Sequence, residues 1–314
     1  MDDRVTTVIH SVRLVLPSAH GGRIIDDAWV RFDGDRVVAT GAGDTWRAAQ
    51  GTVAATVVDG SALAGTGALL TPGFIDLHGH GGGGASYDDG PDAIRIARGM
   101  HRAHGATRAV VSLVTAPLET LERRVAMVAD VVAADPEILG SHLEGPFLDP
   151  GHKGAHELSL LRDPSAAAVD RLLAAGRGTV RQVTLAPERP GAHAAIRTIV
   201  AAGAAAAVGH TNADFLGTRA AFDAGATILT HAFNAMPPLH HRDPGPVAAA
   251  ASDSRVTLEI IADDVHLHPE IVRLAFLVAP GRVALITDAM AAAGATDGRY
   301  ELCLLYTSPS PRDS

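Results

Sequence analysis

From Ala68 to Asp288 the chain repeats one alternation: a short apolar, β-branched run followed by a longer amphipathic stretch. The pattern predicts strands near 69–77, 108–114, 138–143, 180–186, 205–210, 227–231, 256–262 and 282–287. Helices are expected near 91–103, 117–133, 164–175, 191–202, 213–224, 244–252 and 268–278, with Pro91 and Pro117 standing where first turns begin. Strands separated by helices pair in parallel through right-handed crossovers. Eight such units match a TIM-like (β/α)8 barrel, an α/β fold whose active site lies at the C-terminal ends of the strands. A doubly wound open sheet is the alternative. Its Gly-x-Gly-x-x-Gly fingerprint is absent, because the glycines around Gly79–Gly84 follow a histidine pair and open no helix.

Residues 1–68 read differently. Val5–Val15, Ala28–Phe32, Arg36–Thr40 and Ala55–Asp59 are expected strands, Asp33-Gly34-Asp35 is a hairpin signal, and nothing there suggests chemistry. The expected organisation is a small β-domain over 1–68, a barrel over 69–301 and a tail over 302–314. The tail is rich in Ser and Pro and holds Cys303, the only cysteine. No helix is expected after the eighth strand. We read the native sequence as ending near Tyr300–Leu302, with foreign residues after it; a natural disordered tail is the alternative. Barrel and small domain would then be incomplete, with apolar surface uncovered on the first and eighth strands. Poor solubility and weak activity are expected of such a chain.

The formal net charge of −9 and the lack of a basic run argue against nucleic-acid binding. No apolar stretch reaches the roughly 18 residues of a membrane span. Asp2 and Asp3 stand where a signal peptide would be basic. A single cysteine excludes an internal disulfide framework. A cytoplasmic protein is the expectation.

The stretch Thr71-Pro-Gly-Phe-Ile-Asp-Leu-His-Gly-His80 reads as a strand ending in two histidines. Residues two apart on a strand share a face, with Cα atoms roughly 6.6 Å apart, so both imidazoles can reach one ion. Alone, the pair reads equally as two solvated histidines on a Gly-rich turn. Other strand ends carry similar residues: Ser141-His-Leu-Glu144, Gly209-His210, Thr230-His231, Asp263-Asp-Val-His266 and Thr287-Asp288. An isolated histidine at a strand end is more often a hydrogen-bonded rim residue. Six positions on one predicted face favour a metal site, and imidazoles with carboxylates suit Zn²⁺, Fe²⁺ or Mn²⁺ over Ca²⁺ or Mg²⁺.

These motifs, together with Thr184-Leu-Ala-Pro-Glu188, Val208-Gly-His-Thr-Asn-Ala213, Thr230-His-Ala-Phe-Asn-Ala-Met-Pro-Pro-Leu239 and Ile286-Thr-Asp-Ala-Met290, resemble the N-acetylglucosamine-6-phosphate deacetylases of the amidohydrolase superfamily. The resemblance implies a metal-dependent hydrolase barrel that removes the acetyl group of N-acetyl-D-glucosamine 6-phosphate. It implies Glu144, His210 and His231 as core ligands and His78 with His80 as the pair that holds a second ion in some members. It further implies Asp288 as general acid/base and His156 as the residue that polarises the acetyl carbonyl. Ala155, Asn234, Ala235, Arg242 and His266 match substrate contacts. A homodimer and an amino-sugar phosphate substrate are also implied.

Two alternatives remain: a deacetylase of the N-acetylgalactosamine epimer, and a non-catalytic binding subunit, which should have lost a ligand or the acid/base residue. Lys153 is the only lysine and sits in a turn rather than at a strand end. A carbamylated-lysine bridge is therefore not expected, and Glu144 is the expected bridge between two ions.

Overall fold

A computed structural model describes residues 5–17, 22–49, 55–302 and 305–306. The chain divides into two compact units, Met1–Gly73 and Phe74–Ser314. In the first, strands β1 (Thr6–Leu16), β2 (Arg23–Asp33), β3 (Arg36–Ala42) and β4 (Ala55–Asp59) form a sheet in the order β3-β2-β1-β4, and β5 (Leu69–Leu70) also pairs with β1. The β2–β3 hairpin turns at Gly34, whose φ of 61° is the conformation an Asp-Gly turn requires. Val12, Leu14, Ala28 and Val30 form a small core. Two short helices complete the unit, α1 (Trp46–Ala49) and α2 (Gly60–Ala64). The Asp59 carboxylate caps α2 by accepting from the Ser61 and Ala62 N–H groups.

The strand expected over 69–77 is interrupted. Pro72 has no N–H to donate to a ladder, so pairing stops between Leu70 and Phe74. Leu69–Leu70 belongs to the first sheet, and β6 (Phe74–Asp76) opens the second. The glycine run after it forms a small hairpin, β7 (Gly81–Gly82) with β8 (Ala85–Ser86).

Seven further parallel strands follow β6: β9 (Ala106–Val114), β10 (Ile138–Glu144), β11 (Val180–Leu185), β12 (Ala205–Val208), β13 (Ile228–Leu229), β14 (Thr257–Ile261) and β15 (Val283–Ile286). The eight pair in sequence order from β6 to β15. Helices α3 (Pro91–Ala103), α4 (Leu118–Ala134), α5 (Ala166–Ala175), α6 (Ala192–Ala201), α7 (Phe215–Asp223), α8 (Gly245–Ala251) and α9 (Pro269–Val278) fill the crossovers. Their starts carry recognisable caps: Ser165 accepts from the Ala168 N–H, and Asp214 from the Gly217 N–H. Leu121 and Val125 of α4, Leu172 of α5, Ile196 and Ile199 of α6 and Phe222 of α7 are buried in one core with strand residues such as Leu143 and Leu185. This is a nearly closed (β/α)8 barrel.

Side chains and loop backbone join the ends of the sheet. The Asp76 carboxylate accepts from the Thr287 hydroxyl (2.6 Å), the Thr287 N–H (3.2 Å) and the His78 N–H (3.3 Å), and the Asp288 N–H donates to the His78 carbonyl (2.9 Å). Away from this seam, Phe74 and Ile75 on β6 and Leu285 on β15 are exposed. Of the tail expected over 302–314, Leu302 and Leu305–Tyr306 are described: β16 (Glu301–Leu302) pairs antiparallel with β17 (Leu305–Tyr306). The remainder lies outside the described residues.

Candidate metal centre and active site

The donors reach the barrel axis because the backbone turns sharply just past the strands. His210, His231 and Asp288 each stand two residues after the end of β12, β13 and β15, and each adopts a positive φ (46°, 27° and 47°). Non-glycine residues seldom hold this conformation, and where they do the surrounding structure enforces it. Small neighbours make room. A Cβ on Gly79 would lie 3.0 Å from Thr287 Oγ1 and 3.2 Å from Asp76 Oδ2. A Cβ on Gly209 would lie 2.7 Å from the Thr230 Cβ and 2.9 Å from the Thr184 Cγ2. Gly209→Ala is therefore expected to cost about 1–3 kcal/mol as overpacking, read as a lower denaturant midpoint. An unchanged midpoint would show that the strand ends have slack.

The expected ligands converge. Glu144 Oε1 lies 3.1 Å from both His210 Nε2 and His231 Nε2, which are 2.9 Å from each other. Glu144 Oε2 lies 3.0 Å from His80 Nε2. His78 Nε2 and His80 Nε2 are 3.2 Å apart, and Asp288 Oδ1 sits 3.3 Å and 3.2 Å from them. Two donor groups result, His78–His80–Glu144–Asp288 and Glu144–His210–His231, with Glu144 common to both. Ligands about 2.0 Å from a tetrahedral ion are themselves roughly 3.3 Å apart, so the spacings fit coordination.

Charge favours a cation here. Burial alone would lower His78 and His80, but the Asp288 and Glu144 carboxylates outweigh it, raising His78 well above the imidazole range and His80 to about 9. Burial alone would raise Glu144; His78, His156, His210 and His231 overcome this and hold it well below the carboxylate range. Burial likewise opposes the ionised form of Asp288, and His78 and His80 hold it low nonetheless. A divalent cation meets the same demand for positive charge and displaces the imidazole protons, since ligating histidines are neutral. His210 is already prepared: burial pushes it down to about 4. Its Nδ1–H donates to the His152 carbonyl (2.8 Å), leaving Nε2 with its lone pair aimed at Glu144.

Beside this cluster opens a cavity of about 210 Å³, walled in part by Ala155, His156, Asn234, Ala235, His266, Ile261 and Met290. His156 Nε2 lies 3.4 Å from Glu144 Oε2. Asn234 Nδ2 donates to the His231 carbonyl, and Asp263 holds His266 Nδ1 at 2.8 Å. Arg242 is the exception among the expected site residues: it is exposed on the loop after β13 and is not part of the cavity wall. The Lys153 Nζ donates to the Gly154 and His156 carbonyls at 3.2 Å and takes no place in either donor group.

Several contributors escaped the sequence reading. Asp76 pins the seam described above. Glu188 accepts from the Thr211 hydroxyl (2.5 Å) and the Asn212 N–H (2.6 Å), fixing the loop that follows His210. Glu259, fully buried, approaches His78 Nδ1 at 3.3 Å. The available signal was a glutamate inside the apolar run Thr257–Ile261, since glutamate is almost never fully buried unless paired.

The amidohydrolase family model matches residues 69–297. The N-acetylgalactosamine-6-phosphate deacetylase of Escherichia coli O157:H7 is 45% identical over 241 residues, covering 75% of this chain and 63% of that protein. The N-acetylglucosamine-6-phosphate deacetylase of Bos taurus is 39% identical over 251 residues, covering 75% and 61%. Among solved structures, a variant N-acetyl-D-glucosamine-6-phosphate deacetylase from Mycobacterium smegmatis, in complex with N-acetyl-D-glucosamine-6-phosphate, aligns with a TM-score of 0.87 at 44% identity, over 96% of this chain and 76% of that one. The chain spans about three-fifths of the length of these two curated relatives. With likeness of this extent running through all eight strands and the loops that follow them, the chain belongs to the amidohydrolase family.

Proposed function

We propose that the protein hydrolyses the acetamide of N-acetyl-D-glucosamine 6-phosphate, giving D-glucosamine 6-phosphate and acetate. It would use one or two divalent cations (Zn²⁺, Fe²⁺ or Mn²⁺) held by Glu144, His210 and His231 and by His78 and His80. The observation that carries this reading is the Glu144 carboxylate shared between two donor groups, one of which includes Asp288 Oδ1. A bound cation supplies Lewis acidity that makes water a stronger acid and polarises a carbonyl. Asp288 accepts the proton of the attacking water and delivers it to the departing amine nitrogen. His156 Nε2 donates to the acetyl oxygen as negative charge develops there. Asn234, the backbone of Ala155 and Ala235, and His266 hold the sugar phosphate. Arg242, exposed and outside the cavity wall, is assigned to the phosphate bound by a second copy in a homodimer.

Complete retention of the ligands and of Asp288 speaks against a binding subunit without turnover. The N-acetylgalactosamine epimer is the second reading, favoured by the 45% identical relative that bears that name. Among the described residues no helix is long and apolar enough to cross a membrane; we propose a cytoplasmic enzyme of amino-sugar breakdown. The test is acetate release from both epimers by full-length protein loaded in turn with Zn²⁺, Fe²⁺ and Mn²⁺. We expect turnover that a chelator abolishes and added metal restores, with one epimer favoured at least about tenfold in kcat/KM. Metal-loaded protein that releases acetate from neither substrate overturns the proposal.

A further inference from the structure

Beneath the donor cluster the barrel interior carries a polar layer where side chains of such barrels are usually bulky and apolar. Ser112, His142 and Gln182 are direct cross-strand neighbours on β9, β10 and β11. His142 shares the face of Glu144 but lies one step deeper along the strand. It stands edge-on to His78 with ring centroids 4.5 Å apart, and its nitrogens are engaged by the Ser112 hydroxyl (2.9 Å) and the Thr184 hydroxyl (2.8 Å). From β14 the Glu259 side chain enters the same layer. One of its oxygens accepts from Gln182 Nε2 (2.9 Å), and the other lies 3.3 Å from His78 Nδ1. Glu259 and His78 are both completely buried.

The ligand histidines are thus backed unequally. His210 Nδ1 bonds a backbone carbonyl, whose position the fold sets without any side chain. His80 Nδ1 and His231 Nδ1 are buried without a hydrogen-bond partner. Among the described residues only His78, of these four, has a carboxylate behind it. Such a partner fixes the tautomer, so that Nε2 presents its lone pair, and makes the imidazole a stronger donor. It also stops the ring rotating about its Cβ–Cγ bond.

We propose that Glu259, held by Gln182, is a positioning residue for His78, and that it sets the affinity of the His78–His80 position for a divalent cation while leaving the Glu144–His210–His231 position largely unaffected. The inference rests on the metal-dependent reading above and adds to it a reason why two positions joined through Glu144 should differ in affinity.

The experiment is calorimetric titration of metal-depleted full-length protein with Zn²⁺, with acetate release measured in parallel. The parent is expected to bind in two events, one of which His78→Ala removes. Glu259→Gln should weaken that same event about 10–100-fold, the usual cost of losing an outer-shell partner, and leave the other within about threefold. Gln182→Ala keeps the Glu259 carboxylate but loosens it, and should weaken the same event by a smaller factor. It also serves as the informative variant should Glu259→Gln not fold. Two events weakened equally, two events unchanged, or a parent whose Zn²⁺ binding ignores His78→Ala would overturn the proposal. A parent that binds two ions and follows the predicted pattern, yet releases no acetate, would sink the functional reading while the role of Glu259 stood.

Discussion

Asp288→Asn is expected to lower kcat by about 10³-fold, within the 10²–10⁴ range that a positioned acid/base group contributes. At 1.36 kcal/mol per tenfold this is about 4 kcal/mol of barrier. The exchange preserves shape, so an amide can still hydrogen-bond near His78 and His80, whose Nε2 atoms lie 3.3 Å and 3.2 Å from Asp288 Oδ1. It cannot take up and return a proton. KM should therefore stay within a few-fold, and metal bound at Glu144, His210 and His231 should remain, by elemental analysis. The carboxylate is held below its ordinary range because His78 and His80 outweigh its burial. The parent thus needs no rise in pH above neutral to have a base in place. A variant that retains more than about a tenth of parental kcat would remove Asp288 from the proton path.

Glu144→Gln should have the larger effect on composition. Its carboxylate serves both donor groups, Oε1 facing His210 and His231 and, at 3.4 Å, His78, and Oε2 facing His80. An amide offers one oxygen and an NH₂ that repels a cation, so both positions lose their common anionic ligand. Metal affinity should fall by more than about a hundredfold, beyond what outer-shell losses cost, and acetate release should fall to background. Stability should drop as well. The buried imidazoles of His78 and His231, which the surrounding carboxylates hold above the ordinary range against the effect of burial, would lose one of the negative charges that stabilise their protonated form. Breaking one side of a buried charge cluster costs about 3–5 kcal/mol. Melting in the presence of chelator reads this separately from the metal. Full metal content in the purified variant would contradict the bridging role.

What could be read from residues alone followed the reach of the signals. Helix α3 begins at Pro91, as expected, because Pro at the first helical position and the preceding Gly90, with φ 111°, are local features. The cluster of candidate donors was legible because histidines and carboxylates ending apolar runs are local too. Pro72 was equally visible, yet the strand was carried through it; the missing ladder donor prevailed over apolar periodicity. The layer under the cluster was hidden for a different reason. His142 and Glu144 have the same parity on β10, and nothing in the sequence ranks one above the other. Their roles separate only through register, which puts His142 beside Ser112 and Gln182, and Glu144 beside Val114 and Thr184. Arg242 marks the opposite limit: the motif Thr230–Leu239 just before it was plain, but no local rule said that its side chain would stand outside the cavity.

The seam held by Asp76 and Thr287 also fixes an order of events during synthesis. Asp76 and Thr287 are 211 positions apart, so the first strand leaves the ribosome long before its lateral partner exists. At about 5–20 residues per second, a bacterial or eukaryotic ribosome needs roughly ten to forty seconds to bridge that gap. Throughout that interval His78 and His80 have neither Asp288 nor a closed wall beside them. The nascent chain can gather helices and inner strands, but the donor cluster waits for the eighth strand, and closure of the seam and completion of the cluster are one event.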